Sequence, residues 1–103
     1  MPPSPPHLSD RVDRAWYLGR YPDVDPDADL DAHYDAVGWQ AGRDPAPWFC
    51  TAAYLVCHPD VASAGVNPFA HWRDHGRAEG RAIFDAGTPL DLVRPRQGAP
   101  GDL

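Results

Sequence analysis

Two stretches of this chain carry the same order of apolar and polar positions. Residues 15–24, AWYLGRYPDV, match residues 52–61, AAYLVCHPDV, and residues 33–43, HYDAVGWQAGR, match residues 71–81, HWRDHGRAEGR. The offset is 37 in the first block and 38 in the second, so one residue has been inserted between them. Each copy reads A-x-Y-L-x3-P-D-V, then a spacer, then H-[YW]-x3-G-x3-G-R. A third copy begins at IFDAG and stops. A fixed internal period of this kind marks a repeated supersecondary unit that stacks on its neighbour.

The pattern within each copy predicts helices, and no stretch alternates as a strand does. Pro22 and Pro59 each end a short helical stretch, because the residue before a proline is pushed out of the helical region. PDVASAG reads as one or two helical turns closed by Gly65 just past the end. NPFAHWRDHG follows the rule for a helix start and stop, with Asn67 as N-cap, Pro68 in the first turn and Gly76 after the last. The equivalent helix of the first copy is expected to begin near Pro26 and to end at Gly38. The expected fold is therefore all-α: two tandem repeats of about three short helices each, residues 12–48 and 49–85. Extended Pro-rich arms, residues 1–11 and 86–103, flank them.

The recurring aromatics, Tyr17/Tyr54, Tyr34/Trp72 and Phe49/Phe84, are expected to build the core. His33 and His71 also recur, which points to a packed, hydrogen-bonded histidine in each copy, with a shared ligand-binding role as the alternative. Arg43 and Arg81 recur after Gly42 and Gly80 and are expected to make a salt bridge or helix-end contact within each copy. Three tryptophans do not recur. Trp16 stands opposite Ala53, Trp39 opposite Arg77, and Trp48 lies in a DPAPW linker that the second copy shortens. A repeat that folds without them leaves Trp16, Trp39 and Trp48 as candidates for contact with a ligand or partner, since tryptophan anchors dominate binding hot spots. Filling of local gaps is the other reading.

Length and charge narrow the function. At 103 residues the chain is one domain or a short array, and it buries roughly 60–68% of its unfolded surface, enough for one modest core. Nine basic and fifteen acidic residues give a formal net charge of -6. That balance argues against a nucleic-acid partner, which needs a basic face. No apolar run is long enough to span a bilayer, and MPPSPPHLSD has neither the charged nor the apolar region of a secretory leader. The expectation is a cytoplasmic protein, unless it leaves as part of a larger particle.

Metal chemistry is not expected. The row DVDPDADLDAHYD suggests a calcium loop, but such a loop needs Gly at its sixth position and Glu at its twelfth. Counting from Asp23 those positions hold Ala28 and Tyr34, and from Asp25 they hold Leu30 and Ala36. The second copy has lost nearly all these carboxylates, so they read as the acidic start of a helix, which its dipole favours. Cys50, Cys57, His58, His71 and His75 hint at zinc, yet they lack the C-x2-C spacing and only His33 recurs in the first copy. On a helix the two cysteines stand about 10 Å apart along the axis, too far for a disulfide. No catalytic constellation and no cofactor motif is recognisable.

The string YLVCHPDVASAGVNPFAHWRDHGRAEGR resembles a bacterial repeat of the form Y-L-x3-P-D-V-A-x-A-G-x-[ND]-P-x-x-H-[YW]-x3-G-x-x-E-G-R. Such repeats stand in tandem beside bacterial glycosyltransferase domains and in surface-associated proteins. They also occur in the head-spike proteins of gene transfer agents, phage-like particles that attach to the capsular polysaccharide of recipient cells. The resemblance spans residues 12–85, with the Asp-rich spacer of the first copy as its departure. It implies a non-enzymatic virion structural protein: the base or fibre-anchoring component of a head spike, assembled in the cytoplasm and carried on the particle surface. The implied partners are the capsid protein, the fibre protein, further copies of this chain (a pentamer at a capsid vertex) and host polysaccharide. A carbohydrate-binding or adaptor module linked to surface-polysaccharide synthesis is the alternative. Within the arms, residues 1–10 or 88–103, too poor in apolar residues to fold alone, are expected to be the assembly handles.

Overall fold

The computed structural model describes residues 11–95; the expected handle at residues 1–10 and the last part of the other, 96–103, lie outside the described residues. The fold is all-α. Five short α-helices, α1 (Arg14–Arg20), α2 (Leu30–His33), α3 (Thr51–Cys57), α4 (Pro59–Ala64) and α5 (Pro68–His71), are joined by turns, with a 3-10 turn at Leu90–Leu92. No strand occurs among the described residues, where an isolated bridge links Ala46 and Phe49. No helix among them is long and apolar enough to cross a membrane.

Local chemistry accounts for the boundaries. α1 starts where the Asp13 carboxylate accepts from the Trp16 amide at 3.1 Å, and α5 where Asn67 Oδ1 accepts from the amides of Phe69 and Ala70. Each such cap satisfies donors that a helix start leaves orphaned. α1 and α3 each end two residues before a proline, and the residue between leaves the helix. Tyr21 (φ -126, ψ 81) and His58 (φ -122, ψ 79) take nearly the same non-helical conformation there. Gly65 closes α4 in the left-handed region, φ 68.

One boundary and one element differ from expectation. The first segment's second helix begins at Leu30 rather than near Pro26, because Asp29, not an earlier aspartate, caps it through the Ala32 amide. The stretch 22–29 forms turns where the second segment has α4, so the expected third helix is absent from the first segment. Asp25 holds one of these turns by accepting from the Asp27 amide at 2.9 Å. Successive aspartates stabilise turns as readily as helix starts, because each side chain can capture a nearby amide.

α2 and α5 do not end at their last α-helical residue. Each runs into a π-helical turn, Tyr34–Gly38 and Trp72–Gly76. The Trp39 amide reaches back five residues to the Tyr34 carbonyl at 3.0 Å, and Arg77 reaches Trp72 at 2.8 Å. The chain then turns at Gly42 (φ 78) and Gly80 (φ 70), a conformation that costs glycine little, and the amides of Arg43 and Arg81 bond to the carbonyls of Gly38 and Gly76 at 2.9 Å each. Gly38 and Gly76 thus close π turns rather than standing as left-handed caps.

One aromatic core runs through both segments. Tyr17, Tyr34, Phe49 and Tyr54 are almost wholly buried, with Phe69 and Trp72 close behind. Phe84 is only half-buried and packs on a smaller cluster of Cys50, Ala53, Cys57 and Val93. Part of the expected C-terminal arm therefore belongs to the folded body. Ala86 donates its amide to the Pro47 carbonyl at 2.9 Å, and Val93 is buried on α3. That valine covers apolar surface on α3 that would otherwise face water.

A buried polar network joins the two segments. The Thr51 hydroxyl donates to the Arg43 carbonyl at 2.6 Å, so its single proton is committed and the Tyr34 hydroxyl donates to it, also at 2.6 Å. The Asp44 carboxylate accepts from the Thr51 amide, while the Asp44 amide donates to the Tyr21 hydroxyl oxygen. Burial pushes the Asp44 carboxyl above its usual range.

Candidate functional site

The two segments meet at an open groove of about 590 Å³. Asp35, Trp39 and Gln40 come to it from the first π turn and the residues just after it. Ala64, Gly65, Val66 and Asn67 come from the end of α4 and the cap of α5, and His71, Asp74 and His75 from α5 and the second π turn. A cross-link joins its sides: Asn67 Nδ2 donates to Asp35 Oδ1 at 2.9 Å. Since Asn67 Oδ1 is already the α5 cap, the one side chain both starts a helix and ties the segments together.

The π turn places Trp39 here. Its indole Nε1–H donates to the Asp35 carbonyl at 2.9 Å, one turn back, which fixes the ring and uses its only donor. What Trp39 offers the groove is therefore apolar ring surface. At the matched position Arg77 lies over the Trp72 ring, 4.6 Å from its centroid. One position thus serves a half-buried indole in one segment and a cation–π contact in the other.

His71 belongs to a matched pair of part-buried Tyr–His contacts. Tyr17 OH bonds to His33 Nδ1 at 2.8 Å, and Tyr54 OH to His71 Nδ1 at 2.9 Å. Each tyrosine hydroxyl sits over a π-turn glycine: a Cβ on Gly38 would fall 2.6 Å from the Tyr17 oxygen, and one on Gly76 closer still to that of Tyr54. Loss of hydration draws the His71 imidazole below its ordinary range, helped by the Arg81 cation and opposed by Glu79. The His75 ring lies 5.7 Å from that of His71.

The recurring arginines make the expected intramolecular ion pairs. Arg43 meets Asp23 at 2.8 Å, and Arg81 grips both oxygens of Asp60 at 2.8 and 2.9 Å while also reaching Glu79. The Arg81 hydrogen bonds hold the Asp60 carboxyl below its usual value.

The three candidate tryptophans separate. Trp39 lines the groove. Trp16 is half-buried against Tyr21, ring centroids 6.3 Å apart. Trp48 is 6% exposed and sits inside the core, 5.2 Å from Trp72 and 5.7 Å from Phe69. Its linker folds inward, because Pro45 and Ala46 are buried with it. Trp48 is thus spent on packing, which corrects its place among the surface contacts. The sequence signals that lead to the groove are the Trp39 mismatch and the recurrence of His71; no local pattern marks Asp35, Asn67 or Asp74 as site residues.

The aspartate row is divided among separate tasks: Asp23 pairs with Arg43, Asp29 caps α2, Asp31 accepts from the Val12 amide and Asp35 from Asn67. Cys50 and Cys57 are buried thiols outside any disulfide, and burial pushes the Cys50 thiol up. His58 Nε2–H donates to the Ala82 carbonyl at 3.0 Å. Among the described residues no three His, Cys, Asp or Glu side chains converge on a point. No family model, curated protein or solved structure matches this chain.

Proposed function

We propose that residues 12–48 and 49–85 are two copies of one helical unit, and that the chain is a non-enzymatic recognition module. In this reading it serves as a head-spike component of a gene transfer agent or phage-like capsid. Capsid protein, fibre protein and further copies of itself are its neighbours, and the groove between the copies meets host capsular polysaccharide. The cytoplasm is the place of assembly and the particle surface the place of action.

The observation that carries the reading is the groove itself. It lies where the two copies meet, so recognition would require both. An indole held by its own hydrogen bond offers a rigid apolar surface at little entropic cost, and the surrounding carboxylate, amide and imidazole groups supply hydrogen bonds. That mixture suits a polyhydroxylated chain, which presents C–H faces and hydroxyls together. The matched Tyr–His and Arg–Asp pairs, and the matched π turns, support the two-copy description.

Particles purified on a density gradient, with and without Trp39→Ala, test both parts. The expected result is that the chain co-sediments with the particle peak. The variant particles form in normal number but adsorb poorly to encapsulated cells. A chain missing from the peak overturns the particle assignment, and normal adsorption by the variant overturns the role of the groove.

A further inference from the structure

We infer that the groove selects sugars carrying a free, protonated amine and rejects chains of uronic acids, an inference that rests on the polysaccharide reading above. The groove's lining contains no lysine or arginine among the described residues, while two carboxylates, Asp35 and Asp74, border it together with Trp39, His71 and His75. The adjacent Arg73 guanidinium pairs with Asp74 at 3.0 Å, which offsets the charge of both, so the groove's negative charge rests chiefly on Asp35, whose bonded partner is the neutral Asn67 amide. Loss of hydration lowers the affinity of the His71 imidazole for a proton, which disfavours positive charge at that position. An anionic sugar entering here would lose hydration without gaining a cationic partner.

An aminated sugar fits each part. Its ammonium brings three N–H donors, matched to carboxylates that accept only, and such charge-assisted bonds are the stronger kind. The same cation is attracted to the negative face of an aromatic ring, and Trp is the best of them. Trp39 is fixed on the same turn as Asp35, through the bond from its indole to the Asp35 carbonyl. Aromatic surface and acceptor thus come as one rigid unit. A groove of about 590 Å³ falls in the range of small-ligand sites, so it would take a short stretch of chain.

The test is titration calorimetry of the full chain with three hexasaccharides: β-1,4-linked glucosamine, its fully N-acetylated form and oligogalacturonate. We expect the free amine to bind at least tenfold tighter than the acetylated form, and the uronic acid not at all. Asp35→Asn with Asp74→Asn should bring the two glucosamine forms within twofold. Asp27→Asn with Asp91→Asn, which removes the same charge elsewhere on the surface, should leave the preference intact. Equal binding of amine and acetylated forms by the parent chain overturns the selectivity while leaving the polysaccharide reading standing. Loss of preference in the control pair also overturns it, by making bulk charge the cause. Failure of all three sugars to bind removes the inference together with the reading on which it rests.

Discussion

At the scale of the residue, the tightest constraint is the stack of glycine, tyrosine and histidine. Gly76 lies beneath the Tyr54 hydroxyl, which in turn bonds His71. Gly76→Ala should cost about 1–3 kcal/mol, as overpacking does. Tyr54→Phe removes the atom that the new methyl meets, so the double variant should lose less than the sum of the single ones in urea unfolding. Simple additivity would show that the close approach is not what fixes glycine. The histidine gives a pH signature whose sign follows from its lowered affinity for a proton. The unfolded chain binds that proton more readily, so the His71 contribution is complete above about 6.5. It is lost as pH falls through the lower folded value. Stability should therefore decline as pH falls below about 6.5, and His71→Gln should flatten part of that slope. Asp60 and Glu79 also have lowered values, but their losses come at more acid pH, as carboxylates protonate. An unchanged slope in the histidine variant would contradict this assignment.

At the scale of the element, the helix ends show what a sequence reveals and what it conceals. Asn67–Pro68 was legible because an N-cap and a first-turn proline act within a few residues of one another. In the first segment several aspartates compete for that task, and Asp29 wins because Leu30, directly after it, is buried in the core. The π turns were not legible. H-[YW]-x3-G is compatible with an ordinary α-helix, and the difference lies only in which carbonyl an amide reaches. Trp48 was misread for a related reason: its absence from the shortened linker suggested a surface role, whereas its partners Phe69 and Trp72 lie more than twenty residues away in the chain. Trp48→Ala and Trp72→Ala should each cost about 3–5 kcal/mol, in line with large aromatic truncations in cores. Trp39→Ala should cost clearly less in the same chemical denaturation experiment. Equal losses at Trp39 and Trp48 would mean that the groove tryptophan is a core residue as well.

At the scale of the whole molecule, the groove is a surface that neither segment makes by itself. Asp35 and Asn67 are 32 residues apart, and nothing in their local pattern announces that they meet. Of the groove's residues, Trp39 carries a sequence signal through its failure to recur and His71 through its recurrence. The four tryptophans supply their own reporters, because each indole N–H gives a separate signal in a proton–nitrogen NMR spectrum and their environments differ: Trp39 in the groove, Trp16 beside Tyr21, Trp48 and Trp72 in the core. Titrating the full chain with oligosaccharides cut from bacterial capsular polysaccharide is the most direct measurement. The expected result is that the Trp39 indole and the His71 and His75 ring signals shift together and saturate at one concentration, while Trp16, Trp48 and Trp72 stay in place. A stationary Trp39 signal, or a shift confined to Trp16, would contradict it.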